Sequence, residues 1–228
     1  MAKTPRWKKW LSHIIELELE KIESGYGHTL SLCLSDGRFQ LNAENAIYSW
    51  EDKYDNFYKA FAQLDLGKLP GKESLVLGFG LGSIPQMLEK NFNQSLYYTG
   101  VEIDDQVIFL AYKYICHQLE SPLQLIQASA EIFVEITEEK FDFICVDIFI
   151  NDEIPTPIKT PVFIEQVKSC LNEDGLVLFN HLANREAERK TGEAFFNNAF
   201  RSVFPDAELL DVDGNYIFVS DERFLTNS

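Results

Sequence analysis

The sequence predicts an α/β chain built on a doubly wound, seven-stranded, mostly parallel sheet with a C-terminal antiparallel hairpin, preceded by a small N-terminal β-meander. Three observations predict it. From Ser74 onward, short apolar runs alternate with helix-like stretches, the rhythm of parallel strands joined by right-handed crossovers with helices on both faces. Within "SLVLGFGLGSIPQML" (74–88) an apolar run breaks on three alternating glycines and turns helical at once, as a buried strand does where it becomes a helix. Near the end, "AELLDVDGNYIFVSDE" holds two strand runs about a DGN turn, a hairpin that places an antiparallel strand at the end of the sheet.

The elements follow in chain order. From Ile15 to Leu41 the apolar period is two: Ile15, Leu17 and Leu19 alternate with glutamates, and Leu30, Leu32 and Leu34 repeat the pattern. "SDGR" at 35–38 is a tight-turn signal between two such runs, so an antiparallel meander is expected. "DKYDNFYKAFAQL" (52–64) carries Tyr54, Phe57, Phe61 and Leu64 on one helical stripe. "DLGKLPGK" is a loop and the expected boundary, giving 1–66 as meander plus helix and 67–228 as the α/β domain. Strands are expected over 74–79, 96–102, 123–127, 141–147 and 174–180, and helices over 84–92, 104–118, 129–137, 160–171 and 185–203.

Composition narrows the function. The chain carries 36 acidic against 20 basic residues, a net charge of −16. That argues against nucleic acid as the main partner, because such binding comes from Lys and Arg neutralising phosphates. It suits a cationic substrate such as a polyamine; the plainer alternative is an acidic surface that keeps the chain soluble. Four cysteines (Cys33, Cys116, Cys145, Cys170) form no C-x-x-C pair, so a reducing cytoplasm is the default. The basic start, with Lys3, Arg6, Lys8 and Lys9, imitates a signal peptide, but Ser12, His13 and Glu16 interrupt any apolar core. No run approaches a membrane span, so a soluble, intracellular protein without a membrane partner is expected.

The glycine turn is the first candidate site. Gly78, Gly80 and Gly82 allow backbone angles closed to other residues and let a ligand touch the main chain. Ser83 is placed to cap the following helix, and Pro85 fits its first turn. Exposed N–H groups there would favour an anionic or strongly polar ligand. Glu102, in "YTGVEIDD", lies about 20 residues on, where an acid accepts both hydroxyls of a ribose. A tight strand–helix connection explains the glycines alone; the glycines together with the acid point to a bound nucleoside. The spacing is G-x-G-x-G, with Ser83 in place of a third dinucleotide-type glycine, and no G-K-S/T is present. These missing phosphate-specific features tilt the expected ligand from NAD toward S-adenosylmethionine.

With "YGHTLSLCLSDGRFQLN", "LVLGFGLGSIPQML", "GVEIDDQVI" and "FDFICVDIFINDEIPTPIKTPVFIEQVKSCLNEDGLVLFN", the sequence resembles the class I S-adenosylmethionine-dependent transferases, in particular their spermidine synthase-like branch. The resemblance runs from about Gly25 to Asn184 and implies a Rossmann-like domain. It implies that Glu102 with Ile103 binds ribose and that Gly78, Phe79, Gly80, Leu81 and Gly82 shape the methionine-side pocket. Ser129 and Ala130, in "QASAE", fall on the adenine side, where Ser129 replaces an acid. Asp147 faces the reacting centre, and ligands of parallel sheets sit at the carboxyl ends of strands independently of any resemblance; a cap of the next turn is the alternative for Asp147. Homodimers through the N-terminal strands are implied as well.

Departures from the family pattern give a direction. Leu81 stands where true aminopropyltransferases carry an acid, and Ile150 where they carry another, with Asp152 nearby. Tyr58, Phe57 and Asn56 compete for the place of the family's catalytic tyrosine, with Tyr48 and Tyr54 close. The aminopropyl donor presents only a cationic amine at the glycine turn, whereas intact S-adenosylmethionine brings a carboxylate that an acid would repel. Leu81 removes that repulsion. The expectation is therefore methyl transfer from S-adenosylmethionine to a small cationic or amine-bearing acceptor. The alternatives are a polyamine aminopropyltransferase using decarboxylated S-adenosylmethionine, and a non-catalytic nucleoside-binding protein. Asp147 would orient the acceptor, Tyr58 would stand in for the tyrosine, and Asp152 with the loop around Pro155 would form a lid. His181, in "FNHLAN", opens toward the pocket as a general base near neutral pH or is an incidental surface histidine. Asn180 could hydrogen-bond a substrate amine. Cys116 and His117 point about 100° apart on a helix and read as packing residues. "DVDGN" resembles the start of a calcium loop, but Tyr216 occupies its glycine place, so it reads as a hairpin turn. No zinc-ligand cluster or serine triad is visible, and no metal is expected.

Overall fold

The computed structural model describes residues 5–27, 29–43, 46–53, 55–149, 153–212 and 214–226. A short helix α1 (Arg6–Leu11) leads into a four-stranded antiparallel sheet of β1 (Leu17–Glu23), β2 (Thr29–Ser35), β3 (Arg38–Ala43) and β4 (Ala46–Ser49), in sequential order. The turn at 35–38 forms as expected. Asp36 and Gly37 both take positive φ, 50° and 75°, which gives the twist a two-residue hairpin needs. Alternation then buries Leu30, Leu32 and Leu34 of β2 with Phe39 and Leu41 of β3. A tight turn at Glu51–Lys53 precedes α2 (Asp55–Phe61), whose Phe57 and Phe61 are buried. Each such ring stabilises the fold by roughly 1.5–3 kcal/mol. Tyr54 lies outside the described residues.

The larger sheet has seven strands: β5 (Glu73–Leu77), β6 (Tyr97–Glu102), β7 (Leu123–Gln127), β8 (Phe141–Val146), β9 (Leu171–Leu182), β10 (Glu208–Asp211) and β11 (Asn215–Val219). Their order is β10-β11-β9-β8-β5-β6-β7, with β5 parallel to both β6 and β8. The winding reverses between β5 and β8, which opens a crevice at their carboxyl ends. The hairpin forms as expected, with one correction: its antiparallel strand β11 lies inside, against β9, and β10 takes the edge.

Helices α3 (Ser83–Phe92), α4 (Asp105–Tyr114), α5 (Ala130–Ile136), α6 (Pro161–Ser169) and α7 (Glu186–Phe195) alternate with the strands. Strand alternation divides the core in two. Val76, Phe143, Cys145, Leu178 and Ile217 pack with α3, α4 and the N-terminal sheet; Leu77, Ile144, Val177, Phe179 and Phe218 pack with α5, α6 and α7. The meander thus covers the same core that the parallel strands build. The last predicted helix, 185–203, is broken: α7 passes through a widened π turn at Phe196–Phe200 into α8 (Arg201–Val203). Widening brings the adjacent Phe195 and Phe196 both onto Phe218, with ring centroids at 5.7 and 5.1 Å. Among the described residues, no helix is long and apolar enough to cross a membrane.

Candidate active site

Gly78 ends β5 with φ 83°, and a methyl group on it would collide with the carbonyl of Asp147. Glycine is therefore what lets β5 and β8 approach at the point where the sheet reverses. Gly80 and Gly82 continue the turn at φ 55° and 81°. Phe79 is buried, and its ring lies against Gly82 and Gly100, leaving neither position room for a side chain.

The N–H groups of this turn are all committed within the protein. Those of Gly78 and Phe79 donate to the Val101 carbonyl at 2.9 and 3.1 Å, and that of Gly82 to the Phe79 carbonyl at 2.9 Å. Gly80 donates to Glu102 Oε2 at 3.0 Å, and Leu81 to Ser49 Oγ, at the end of β4, at 3.2 Å. The expectation of exposed N–H groups inviting an anion is thereby corrected. Ser83 is likewise not a cap: its hydroxyl bonds Ser49 Oγ at 2.6 Å and accepts from the Trp50 N–H at 3.1 Å. Leu81 is fully buried in the core and forms no part of the cavity wall, so it does not address a ligand's tail.

Glu102 closes β6. Besides Gly80, the N–H groups of Ile103 and Asp104 donate to its Oε1 at 2.9 and 3.2 Å. Burial pushes its carboxyl above the ordinary carboxylate range, and the three N–H donors oppose that push. Asp147 follows β8, held by its own N–H to the Leu77 carbonyl at 2.8 Å. Asn180 Nδ2 donates to Asp147 Oδ1 at 2.8 Å.

These residues surround a cavity of about 570 Å³ at the carboxyl ends of the parallel strands. Of the expected site residues, Gly78, Gly80, Glu102, Ile103, Ser129, Ala130 and Asp147 line it; Phe79, Leu81, Gly82, Tyr58 and His181 do not. Tyr58 is 42 % exposed and packs its ring on Phe92 at 5.3 Å. His181 follows Asn180 on β9, so alternation sends it to the opposite face, where Phe218 stacks on it at 6.0 Å. Burial lowers its pKa below the usual histidine value, and Nδ1 bonds the Leu182 carbonyl at 2.7 Å. It is neither a surface residue nor open to the cavity. Asp152 and Ile150 lie outside the described residues.

Residues that the sequence did not single out complete the wall. Trp50, Lys53 and Asp55 enter from the N-terminal part, as do Tyr48 and Asn56 from among the competing positions; Glu131 enters from α5, Phe149 from the segment after β8 and Asn215 from β11. Glu131 accepts from Ser129 Oγ at 2.7 Å, so the acid of "QASAE" sits two places beyond the serine. Lys53 is ion-paired with Asp36 and lies 5.6 Å over the Trp50 ring. Among the described residues of the wall, this one lysine stands against Asp55, Glu102, Glu131 and Asp147, an arrangement that favours positive charge inside.

A family model described as the spermine/spermidine synthase domain matches residues 68–212, well over half of the chain. The chain belongs to the spermine/spermidine synthase family. Within that family's curated members it is 27 % identical over 140 residues to a "Probable polyamine aminopropyl transferase" of Bifidobacterium longum, covering 61 % of this chain and 30 % of that protein. It is 28 % identical over 152 residues to the polyamine aminopropyltransferase of Vibrio vulnificus, covering 64 % and 49 %. The chain thus spans half or less of the curated relatives it matches. Spermidine synthase from Thermotoga maritima superposes with a TM-score of 0.66 at 17 % identity, over 89 % of this chain and 72 % of that one, a likeness of fold. The expectation of methyl transfer is corrected: the family model and both relatives carry polyamine names. Its physical ground fails too, because the Leu81 side chain is buried in the core and forms no part of the cavity wall.

Proposed function

We propose that this protein is a polyamine aminopropyltransferase, taking decarboxylated S-adenosylmethionine as donor and a small amine such as putrescine as acceptor. One observation carries the reading: the glycine turn keeps no N–H for a carboxylate while the cavity wall is rich in acids. A donor whose tail ends in an ammonium suits that wall, and one ending in a carboxylate does not.

In the reaction the acceptor nitrogen's lone pair attacks the carbon beside the sulfonium. The carbon–sulfur bond breaks, its electron pair returns to sulfur as a neutral thioether, and the new ammonium sheds a proton. Positive charge therefore moves from sulfur to nitrogen. Asp147 and Asp55, both in the cavity wall, are assigned to the acceptor, where they would stabilise charge that grows on nitrogen in the transition state. Holding both reactants in one cavity supplies the rest, since the sulfonium is already a good leaving group. Glu102 is assigned to the ribose, and Glu131 with Ser129 to the adenine side.

The exposed Trp7 and Trp10 of α1, together with the open edge of the N-terminal sheet at β1, support a homodimer through the N-terminal part. The four cysteines, none in a disulfide, support a cytoplasmic location. The test is incubation with decarboxylated S-adenosylmethionine and putrescine, followed by mass spectrometry. Spermidine and methylthioadenosine are expected in equal amounts. Donor binding with neither product at stoichiometric enzyme would overturn the assignment.

A further inference from the structure

Asp147, Asn180 and Asn215 come from three different parts of the chain and meet on one face of the sheet. In the parallel ladder Cys145 pairs with Leu178 and Val146 with Phe179, so Asp147 lies one step on, opposite Asn180. In the antiparallel ladder Asn180 pairs with Ile217 and Leu182 with Asn215. Asn180 and Asn215 are therefore diagonal neighbours on the same face.

Asn215 Nδ2 donates to Asn180 Oδ1 at 2.8 Å, and Asn180 Nδ2 donates to Asp147 Oδ1 at 2.8 Å. Asn180 is 1 % exposed, whereas Asp147 and Asn215 line the cavity. The direction of this chain follows from its chemistry. An ionised carboxylate only accepts, so Asn180 must turn its amino group toward Asp147. Its carbonyl then faces Asn215, which must donate. Turning either amide over would set like against like.

We propose that Asn180 and Asn215 are positioning residues that hold Asp147 ionised and fixed in the cavity wall, Asn215 acting by locking the orientation of the Asn180 amide. This gives the C-terminal hairpin a role at the site: β11 delivers the residue that sets the chain's direction. Asn215 also lies beyond residues 68–212, the stretch that the family model matches. That the held carboxylate serves an amine acceptor rests on the aminopropyl reading; the hydrogen-bond chain does not.

Among the described residues, the other titratable groups of the cavity wall are Tyr48, Lys53, Asp55, Glu102 and Glu131. Cys145 lies behind Asp147 on β8, its thiol pushed up by burial and by the Asp147 charge, and His181 faces away. All of these stay in place when the asparagines change, so a difference between variants isolates the amide donors.

The test is a carbon-13 NMR titration of the protein carrying carboxyl-labelled aspartate, with the Asp147 signal identified by its loss in Asp147→Asn. Asn180→Ala is expected to raise the midpoint of that signal by about one to two pH units, the worth of one hydrogen bond to a charged group. Asn215→Ala is expected to raise it by about half as much. Asn215→Asp has the same shape but cannot donate, and is expected to raise it more than Asn215→Ala. Were Asn180→Ala to misfold, the two Asn215 variants decide alone. A midpoint unmoved in both, or moved less by Asp than by Ala, overturns the proposal. With putrescine as acceptor, the Asn215 variants should lower kcat while leaving the donor KM unchanged. If the wild-type protein makes no spermidine, the aminopropyl reading falls and the titration still decides the role of the asparagines.

Discussion

The two walls of the cavity are made in different ways. The wall of β5, the glycine turn and β6 is backbone from one stretch of chain, 73–102, and the N–H groups of its turn all have partners inside the protein. The second wall is assembled from side chains far apart in sequence: Tyr48 to Asn56 from the N-terminal part, Asp147 after β8, and Asn215 on β11. Backbone geometry tolerates almost no change, because a strand and a turn share each atom's position. Side chains on separate elements vary one at a time. The difference assigns shape to the first wall and selectivity to the second.

The largest expected effect breaks the first wall. Gly78→Ala places a methyl group against the Asp147 carbonyl at a residue with φ 83°, and should cost about 3–5 kcal/mol of stability. Urea unfolding measures it. A loss under about 1 kcal/mol would mean that the wall yields as side chains do, and the contrast between the walls would go.

The second expected effect is smaller and sharpens the contrast. Asp55→Asn keeps the shape of a residue of the second wall and removes its charge. KM for putrescine should rise about tenfold, worth about 1.4 kcal/mol. Unfolding midpoint and donor affinity should stay put. Steady-state kinetics with each substrate varied in turn checks this; equal changes for donor and acceptor would erase the division of labour.

Most of the first wall was legible in the sequence. Glycines at 78, 80 and 82 followed by an acid at 102 define it, because only a strand-to-helix turn needs that pattern. The parallel strands were legible for the same reason that they pack, as short apolar runs between amphipathic helices. What the sequence hid was direction. Leu81 sits between Gly80 and Gly82, and positive φ on both sides turns it into the core. Asn180 and His181 are adjacent, and the strand's period of two decides which faces the cavity; a one-residue error in register exchanges them. The N–H groups of the turn read as exposed because most of their partners, Ser49, Val101 and Glu102, arrive from the end of β4 and from β6. Tyr58 and Asn56 could not be told apart, since the turn of α2 that faces the cavity depends on how α2 docks. Asn215 belonged to a turn signal and carried no sign of a site at all.

Everything rests on a cavity that holds the ribose of a sulfonium nucleoside at Glu102 and welcomes a tail without a carboxylate. Isothermal calorimetry with decarboxylated and intact S-adenosylmethionine, on the wild-type protein and on Glu102→Gln, tests this most directly. The expected result is binding of the decarboxylated form at least about tenfold tighter, with both forms weakened in the variant by a factor on the order of ten or more. Tighter binding of the intact form, or donor affinity indifferent to Glu102→Gln, would contradict it.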